Sequence, residues 1–548
     1  MIVTPTVERA VAEPSRRSHF RQLGGNFSSY RAVDWILVAL AAASAAAWFT
    51  HVEWSVTFWG FPLDDSWIHL QFARNLGTGQ GYSYNPGIPV AGSTAPLWTI
   101  LLAVPAWFGW DPIVSSKALG LVLTIVTALL AGQLTEWLTR SRGAGLFAAL
   151  ALALSPKMAW GSLSGMEVSL YAALVTGALL AYLRALETGS PWWGLLAGFA
   201  GFARPEAFIV FPVLALDWTV RTIRGLLPPP RLLRFALPML LFAIPTALFV
   251  ALNFHASGHP LPMTFYAKTY GMGTLPSLME GRWHDAWVAA GWYPIEFLYQ
   301  LLTWCESEYP DLALGALVGA LALIGLTGDS ESRRRGSYLL VAILIVAPLV
   351  KGLGAPEPPL LVHDGRYLFH LLVMFLIVSV IGVLELRRWL RGRWIVPLFL
   401  MAALLRLGLA IFDEASEYAG MVKNINDLQI ATARWIMKET SPEARIATND
   451  IGAIAYFSRR FLIDTEGLVT PAAIHPKRMR RFAPFLESQR PDLLIIFPEW
   501  YPEIVARTDL FHEIYRIHAW QESAGGPSLV FYRMPWSRPE MVPRFLKK

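Results

Sequence analysis

Apolar runs long enough to cross a bilayer as helix, separated by short polar stretches, recur along most of the 548-residue chain. A hydrocarbon core of roughly 30 Å takes about 20 helical residues. Such runs start near Trp35, Ile113, Gly143, Val168, Pro191, Glu206, Phe235, Leu312, Tyr338, Tyr367 and Ile395, which predicts about eleven spans. Two more apolar segments, 95–108 and 286–304, read as helices at the outer interface. The first is short and flanked by proline; the second carries Pro294, Glu296 and many aromatics, which suit headgroup depth. Past Phe412 the pattern becomes water-compatible. Residues 426–439 have helical periodicity, and 445–448, 460–464, 492–497 and 528–533 read as short strands. The fold class predicted is an all-α polytopic membrane domain followed by a small extracytoplasmic α/β domain. Its parts are a cytoplasmic tail over 1–33, a membrane domain over 34–412 with large outer loops at 51–112 and 253–310, and a C-terminal domain over 413–548.

Composition agrees: 54% of residues are hydrophobic and 16% charged, where a soluble chain carries about a quarter charged. The net charge of +6 is unevenly placed. Arg9, Arg16, Arg17, Arg21 and Arg31 precede the first span, and every second loop after it is basic. Those loops hold Arg140 and Arg142, then Arg184, then Arg221, Arg224, Arg231 and Arg234, then Arg333 to Arg335, then Arg387, Arg388, Arg391 and Arg393. The positive-inside rule sets the N-terminus in the cytoplasm and, with eleven spans of the cytoplasmic (inner) membrane, the C-terminus outside. The basic residues thus answer to membrane lipids, and no nucleic-acid partner is expected. Ala-Ser-Ala-Ala-Ala near residue 45 resembles a small-residue cleavage site, but the 33-residue lead is long for a signal, so the first span reads as a retained helix. Cys305 is the one cysteine, which excludes an intrachain disulfide and a cysteine metal cluster. Pro228 to Pro230 read as a stiff connector.

With that orientation, ionisable residues at span ends collect on the outer side. They are Asp64 and Asp65; Glu167; Arg204 and Glu206; His255, His259 and Lys268; and His363, Asp364 and Arg366. Interfacial snorkelling accounts for single residues of this kind, whereas a set with both signs on one face marks a site. A transporter or lipid flippase with an extracytoplasmic cap domain is the alternative from another class. It calls for mid-bilayer polar residues on interrupted, repeated helices, and the sequence has neither repeats nor mid-span charges. A non-catalytic assembly factor for envelope glycans is a third reading, against which the intact Asp pair counts.

Residues 64–103 read DDSWIHLQFARNLGTGQGYSYNPGIPVAGSTAPLWTILLA. The double Asp, the amphipathic helix ending Ala-Arg-Asn-Leu, the Gly-x-Gly turn, Asn-Pro-Gly and the following Leu-Trp helix occur in the order of a loop built around a substrate. This segment resembles the first outer loop of the GT-C glycosyltransferases, polytopic enzymes that use lipid-phosphate sugar donors, and within them the branch containing the mycobacterial terminal arabinofuranosyltransferase. Similar stretches follow at Ser164 to Glu167, Ala203 to Glu206, Pro260 to Lys268, Gly365 to Tyr367, and Asn449 to Tyr456 with Asp464 and Gly467-Leu468. The likeness runs from the first span to about residue 470. Ser93-Thr94 stands where the arabinosyl branch often has Tyr-Thr, and Ala91 where it often has Glu, so the likeness is specific for the superfamily and not for the sugar.

The resemblance implies inverting transfer of a sugar from a polyprenyl-phosphate donor to a cell-envelope glycan, lipid or protein acceptor outside the cell. Such a transfer needs a carboxylate to take the acceptor hydroxyl proton. Asp64 matches the superfamily's catalytic position, and Asp65 then orients the site, binds a cation or caps the helix that follows. The leaving phosphate gains charge, so fixed cations stabilise it. Arg204, Lys268, Arg366 and, less strongly, His259 and His363 are the candidates; ion pairs of Arg204 with Glu206 or Glu167, and of Asp364 with Arg366, are the structural alternative. Glu167, Glu206, Arg74, Asn85 and Asp364 are candidates for holding substrate or organising the site. No cofactor is certain; Asp65 and Glu167 are candidate oxygen ligands for a divalent magnesium or manganese ion. The run from Gly77 to Gly87 lacks the strand and helix context of a nucleotide-binding loop and reads as a flexible lid. Most of the 23 tryptophans are assigned to interfacial belts. The C-terminal domain is expected to assist acceptor binding, away from the chemistry.

Overall fold

The computed structural model describes residues 31–226, 231–268, 273–324, 336–354, 365–387, 394–479, 481–508, 510–519 and 525–542. His363 and Asp364 lie outside the described residues, as do Arg333 to Arg335 and Pro228 to Pro230. Each of the eleven apolar runs forms helix. Six helices are long and apolar enough to cross a membrane: Ala32–Val56 (α1), Pro112–Thr139 (α4), Val168–Thr188 (α7), Leu232–Ser257 (within α10, Arg231–Ser257), Arg366–Leu386 and Ile395–Glu439. A seventh is assembled from Arg142–Ala153 (α5) and Pro156–Leu163 (α6), bent by 54°. Ser155 causes the break: its side chain accepts from the Met158 N–H, and Pro156 follows at the first helical position, where it lacks the N–H a continuous helix needs.

The other four runs give shorter helices than the eleven-span reading expects. They are Trp192–Ala203 (α8), Val210–Ile223 (α9), Pro310–Leu323, whose α-helical part is Ala313–Leu323 (α13), and Tyr338–Gly354 (α14), of 12 to 17 residues. At 1.5 Å per residue these are about 18 to 26 Å long, under a full hydrocarbon thickness. The chain is therefore a multi-pass membrane protein whose full-length spans number six or seven among the described residues. Gly319 of α13 approaches the last full span before the C-terminal one, α15 (Phe369–Leu386), so tightly that a Cβ would stand 2.0 Å from the Val378 carbonyl oxygen. The two segments assigned to the interface are Pro96–Trp107 (α3) and Trp283–Glu308 (α12), and neither is a full apolar span. On α12, Trp283, Trp287, Trp292 and Tyr299 are exposed while Pro294 is packed on Gly352 of α14.

The final span does not stop near Phe412. It continues as Ile395–Ile425 (α16), a π-helical turn at Asn426–Ile430, and Ala431–Glu439 (α17) into the C-terminal domain. That domain holds one five-stranded sheet in the order β2-β1-β3-β5-β4. Arg445–Thr448 (β1), Phe461–Asp464 (β2) and Leu493–Ile496 (β3) are parallel; Ser528–Arg533 (β5) runs antiparallel to β3 and to His512–His518 (β4). Sequence pattern located four strands and missed β4. The segment between β1 and β2 carries the short helix Gly452–Ser458 (α18), which packs on Asp64–Gly77 (α2) of the first outer loop.

Candidate active site

Asp64 begins α2, a few residues after the end of α1, and its carboxylate turns toward the C-terminal domain. It accepts the N–H groups of Gly452 (2.5 Å) and Ala453 (2.7 Å). Only glycine fits at 452, because a Cβ there would lie 2.0 Å from the Asp64 carbonyl oxygen. The Asp64 carboxyl is also hydrogen-bonded to that of Asp450, and Gln429 on the π-helical turn donates to Asp450 at 2.5 Å. Burial, then the Asp450 charge, raises the proton affinity of Asp64 well above the usual carboxylate range; burial raises Asp450 too. This corrects the expectation that the C-terminal domain stands away from the candidate catalytic carboxylate. It brings a second carboxyl to it.

The long loop that links α1 and α4 is bound to the same domain. Arg74 donates to the Tyr456 carbonyl at 2.7 Å and lies 4.4 Å over its ring. Asn85 pairs with both backbone groups of Leu462 on β2, at 2.8 and 2.9 Å, and the Tyr84 hydroxyl donates to the Ile451 carbonyl. Asn75 donates to the carbonyls of Ser83 and Tyr84. Residues 77–87, expected as a flexible lid, are thus strapped down on the side of Ser83 to Asn85, and Tyr84 is buried. Arg74 and Asn85 organise the first loop by docking it.

Asp65 points the other way. Its carboxylate takes the Nη2 of Arg366 at 2.5 Å, and its helix has no side-chain cap. Glu167, fully buried at the start of α7, accepts from Arg204 and stands 3.3 Å from His69 Nε2. Arg204 in turn meets Glu206 at 3.1 Å, and Glu206 meets Lys351 at 2.8 Å. Arg204, expected at the donor phosphate, is thus ion-paired with both Glu167 and Glu206, the structural alternative to that role. Asp65 and Glu167 are neutralised by different arginines, an arrangement that does not fit one divalent ion bridging them; no group of three potential metal ligands occurs among the described residues. His69 is pushed down to about 4, chiefly by burial, so at neutral pH it is an uncharged ring between Glu167 and the Ser93 hydroxyl, 3.0 Å from Nδ1.

Sequence reasoning missed the hub of the cluster, Tyr367. Arg204, Arg366 and Lys351 lie 4.8, 5.1 and 5.3 Å from its ring centroid. The negative face of the ring attracts these cations in addition to their ion pairs. Lys268, at the end of Met263–Lys268 (α11), is within electrostatic range of the Tyr367 hydroxyl and makes no ion pair among the described residues. Among the described residues, Asp65, Glu167 and Glu206 are the carboxylates paired with Arg204, Arg366 and Lys351. Arg366 is 3% exposed, yet its Nε and Nη1 find no acceptor among the described residues. Gly365, at φ +66°, lets the chain turn against Trp304 to place Arg366 at the mouth of the span. His259 is exposed and rests on the Tyr266 ring, 4.7 Å between centroids.

A family model described as a domain of unknown function, DUF8728, matches residues 423–532, the end of the last helix and most of the sheet. No curated protein matches the sequence. Among solved structures, ArnT from Cupriavidus metallidurans bound to undecaprenyl phosphate aligns over 92% of this chain and 98% of its own, with 11% identity and a TM-score of 0.55. Its apo state aligns over 91% and 98%, with 13% identity and a TM-score of 0.55. The arabinofuranosyltransferase AftD from mycobacteria aligns over 92% of this chain and 42% of its own, with 16% identity and a TM-score of 0.45. The chain has the GT-C fold: a multi-span helical domain followed by a small sheet domain.

Proposed function

We propose that this chain, built on the GT-C fold, is an inverting glycosyltransferase that moves a sugar from a polyprenyl-phosphate donor to a cell-envelope glycan, lipid or protein on the extracytoplasmic face of the inner membrane. The observation that carries the reading is Arg366: a buried guanidinium whose Nε and Nη1 are unpaired among the described residues and whose Nη2 is tied to Asp65, the residue next to Asp64. A buried polar group without a partner is costly, and a planar fork of donors matches phosphate oxygens. Arg366 and Lys268 bind the donor phosphate in this reading. Arg204, already held by two carboxylates, fixes the Tyr367 ring and the charge balance around it. Asp64 takes the proton of the acceptor hydroxyl while that oxygen attacks the anomeric carbon, and the phosphate leaves with the bonding electron pair. The likeness to a fold solved with undecaprenyl phosphate supports a lipid-phosphate partner.

Purified protein in lipid, given a panel of polyprenyl-phosphate sugars and envelope extract, should transfer one of them, and linkage analysis of the product identifies sugar and acceptor. Asp64→Asn should lower the rate by about 10²- to 10⁴-fold, the usual worth of a general base. An Asp64→Asn enzyme that is folded and as fast as wild type would show that the base lies elsewhere.

A further inference from the structure

Asp450, the carboxyl in direct contact with Asp64, comes from the C-terminal domain and not from the membrane domain. It follows β1 and precedes α18, and it reaches Asp64 across 386 positions of sequence only because the C-terminal domain sits on the first outer loop. Three contacts fix it there. Gln429 donates to one of its oxygens at 2.5 Å, its carboxyl is hydrogen-bonded to Asp64, and the N–H groups two and three residues on hold the Asp64 carboxylate. Two carboxylates in hydrogen-bond contact repel unless a proton lies between them, so the pair carries one proton and one negative charge.

We propose that Asp450 is a positioning residue for the transfer, presenting Asp64 to the acceptor through a direct carboxyl–carboxyl hydrogen bond, so that the C-terminal domain completes the catalytic centre. The inference rests on the glycosyltransferase reading. Two backbone N–H groups hold the Asp64 oxygens against the single Gln429 donor on Asp450, which favours the ionised form at Asp64. In the proposed arrangement Asp450 therefore carries the proton of the pair and donates it to Asp64, a carboxylate anchored on one side by three donors. The acceptor O–H proton then passes to Asp64 as the anomeric carbon–oxygen bond forms and the anomeric carbon–phosphate oxygen bond breaks. The pair ends neutral, and the negative charge leaves on the phosphate. The burial that raises both groups makes Asp64 a stronger base than a solvated carboxylate.

The test is kinetic, on the full-length chain in lipid. Asp450→Asn keeps the volume and a hydrogen-bond acceptor for Gln429 but puts no acidic proton toward Asp64. It should lower kcat about 10- to 100-fold, the scale of a misplaced catalytic group, with the donor KM unchanged. Asp450→Glu should recover part of that loss. Because the two residues act as a unit, Asp64→Asn with Asp450→Asn should be no slower than Asp64→Asn alone. A wild-type kcat in Asp450→Asn, or losses that multiply in the double variant, would overturn the inference while the transferase reading stands. If wild-type protein transfers no sugar from any polyprenyl-phosphate donor, it is that reading that fails. The contact is then judged by isotope-edited infrared spectroscopy of labelled Asp. In the Asp464→Asn background, which removes the other buried Asp held protonated near neutral pH, the band of a protonated carboxyl should be present and should be lost when Asp64→Asn or Asp450→Asn is added; its survival with Asp450→Asn overturns the pairing.

Discussion

Truncating Arg366 to Ala removes a buried guanidinium that has two donors without an acceptor among the described residues. Two effects follow, and their sizes differ. The first is structural: Asp65 loses its ion pair with Arg366, but its side chain is 36% exposed, so water replaces much of what the arginine gave, and the cost is about 1 kcal/mol or less. The second falls on the donor. If Nε and Nη1 each make a charge-assisted bond to phosphate, at about 1.5 kcal/mol apiece, the low end for hydrogen bonds to charged groups, about 3 kcal/mol of donor affinity is lost. At 1.4 kcal/mol per decade that is roughly a 100-fold rise in donor Kd. Arg366→Lys restores a charge without the fork, so it should recover less than half of the loss in free energy. The assay is titration of the protein in nanodiscs with undecaprenyl phosphate, read by intrinsic tryptophan fluorescence or thermal shift. Wild-type affinity in folded Arg366→Ala would refute the placement of the phosphate, and full recovery by lysine would refute the bidentate geometry.

Other outcomes separate docking from chemistry. Asn85→Ala removes both bonds to Leu462 and leaves two buried backbone groups of an edge strand unpaired, so it should destabilise the seat of the C-terminal domain by about 2 kcal/mol. Limited proteolysis of the first loop should accelerate; an unchanged cleavage rate counts against the strap. Asp464 is pushed up to about 7 by burial, against the pull of the Val469 and Glu466 N–H groups, and this has a sign that can be checked. The folded state binds this proton more tightly than the unfolded state does, so stability falls as pH rises from about 4 to about 7 and levels off above that. In Asp464→Asn the fall of Tm across that window should be shallower, and a slope equal to wild type would show that the titrating group is another.

The membrane domain was legible in the sequence because apolar runs have no other use at that length, and the sites at span ends were legible because charge is expensive there. Asp64, Glu167, Arg204 and Arg366 do gather on one side for that reason. Their pairing was not legible. Arg204 could be free or bound until Glu167 and Glu206 were seen on either side of it, and Tyr367, beside the more conspicuous charge of Arg366, reads as the start of an apolar span. Asp450 was hidden differently. It lies in a water-compatible stretch where a carboxylate costs nothing, so its burial against Asp64 is a tertiary fact. Strand β4, His-Glu-Ile-Tyr-Arg-Ile-His, was missed because an exposed edge strand needs little apolar patterning.

The π-helical turn at Asn426–Ile430 has a consequence for how this molecule can vary. A wide turn of this kind carries one residue more than an α-helix needs, and each residue added to a helix advances its phase by about 100° and its length by about 1.5 Å. Here the extra residue sits between the bilayer and the sheet, with Asn426 gripping the Phe58 carbonyl at 2.7 Å below and Gln429 gripping Asp450 above. It acts as a vernier between two bodies that must meet in one azimuth. Removing that residue would turn the sheet domain by about a quarter of a revolution relative to α2. Chain-length changes between Phe412 and Glu439 are therefore geared: a single residue gained or lost carries Asp450 off Asp64, and two full turns added restore the azimuth but lift the domain by about 10 Å, out of reach of the first loop.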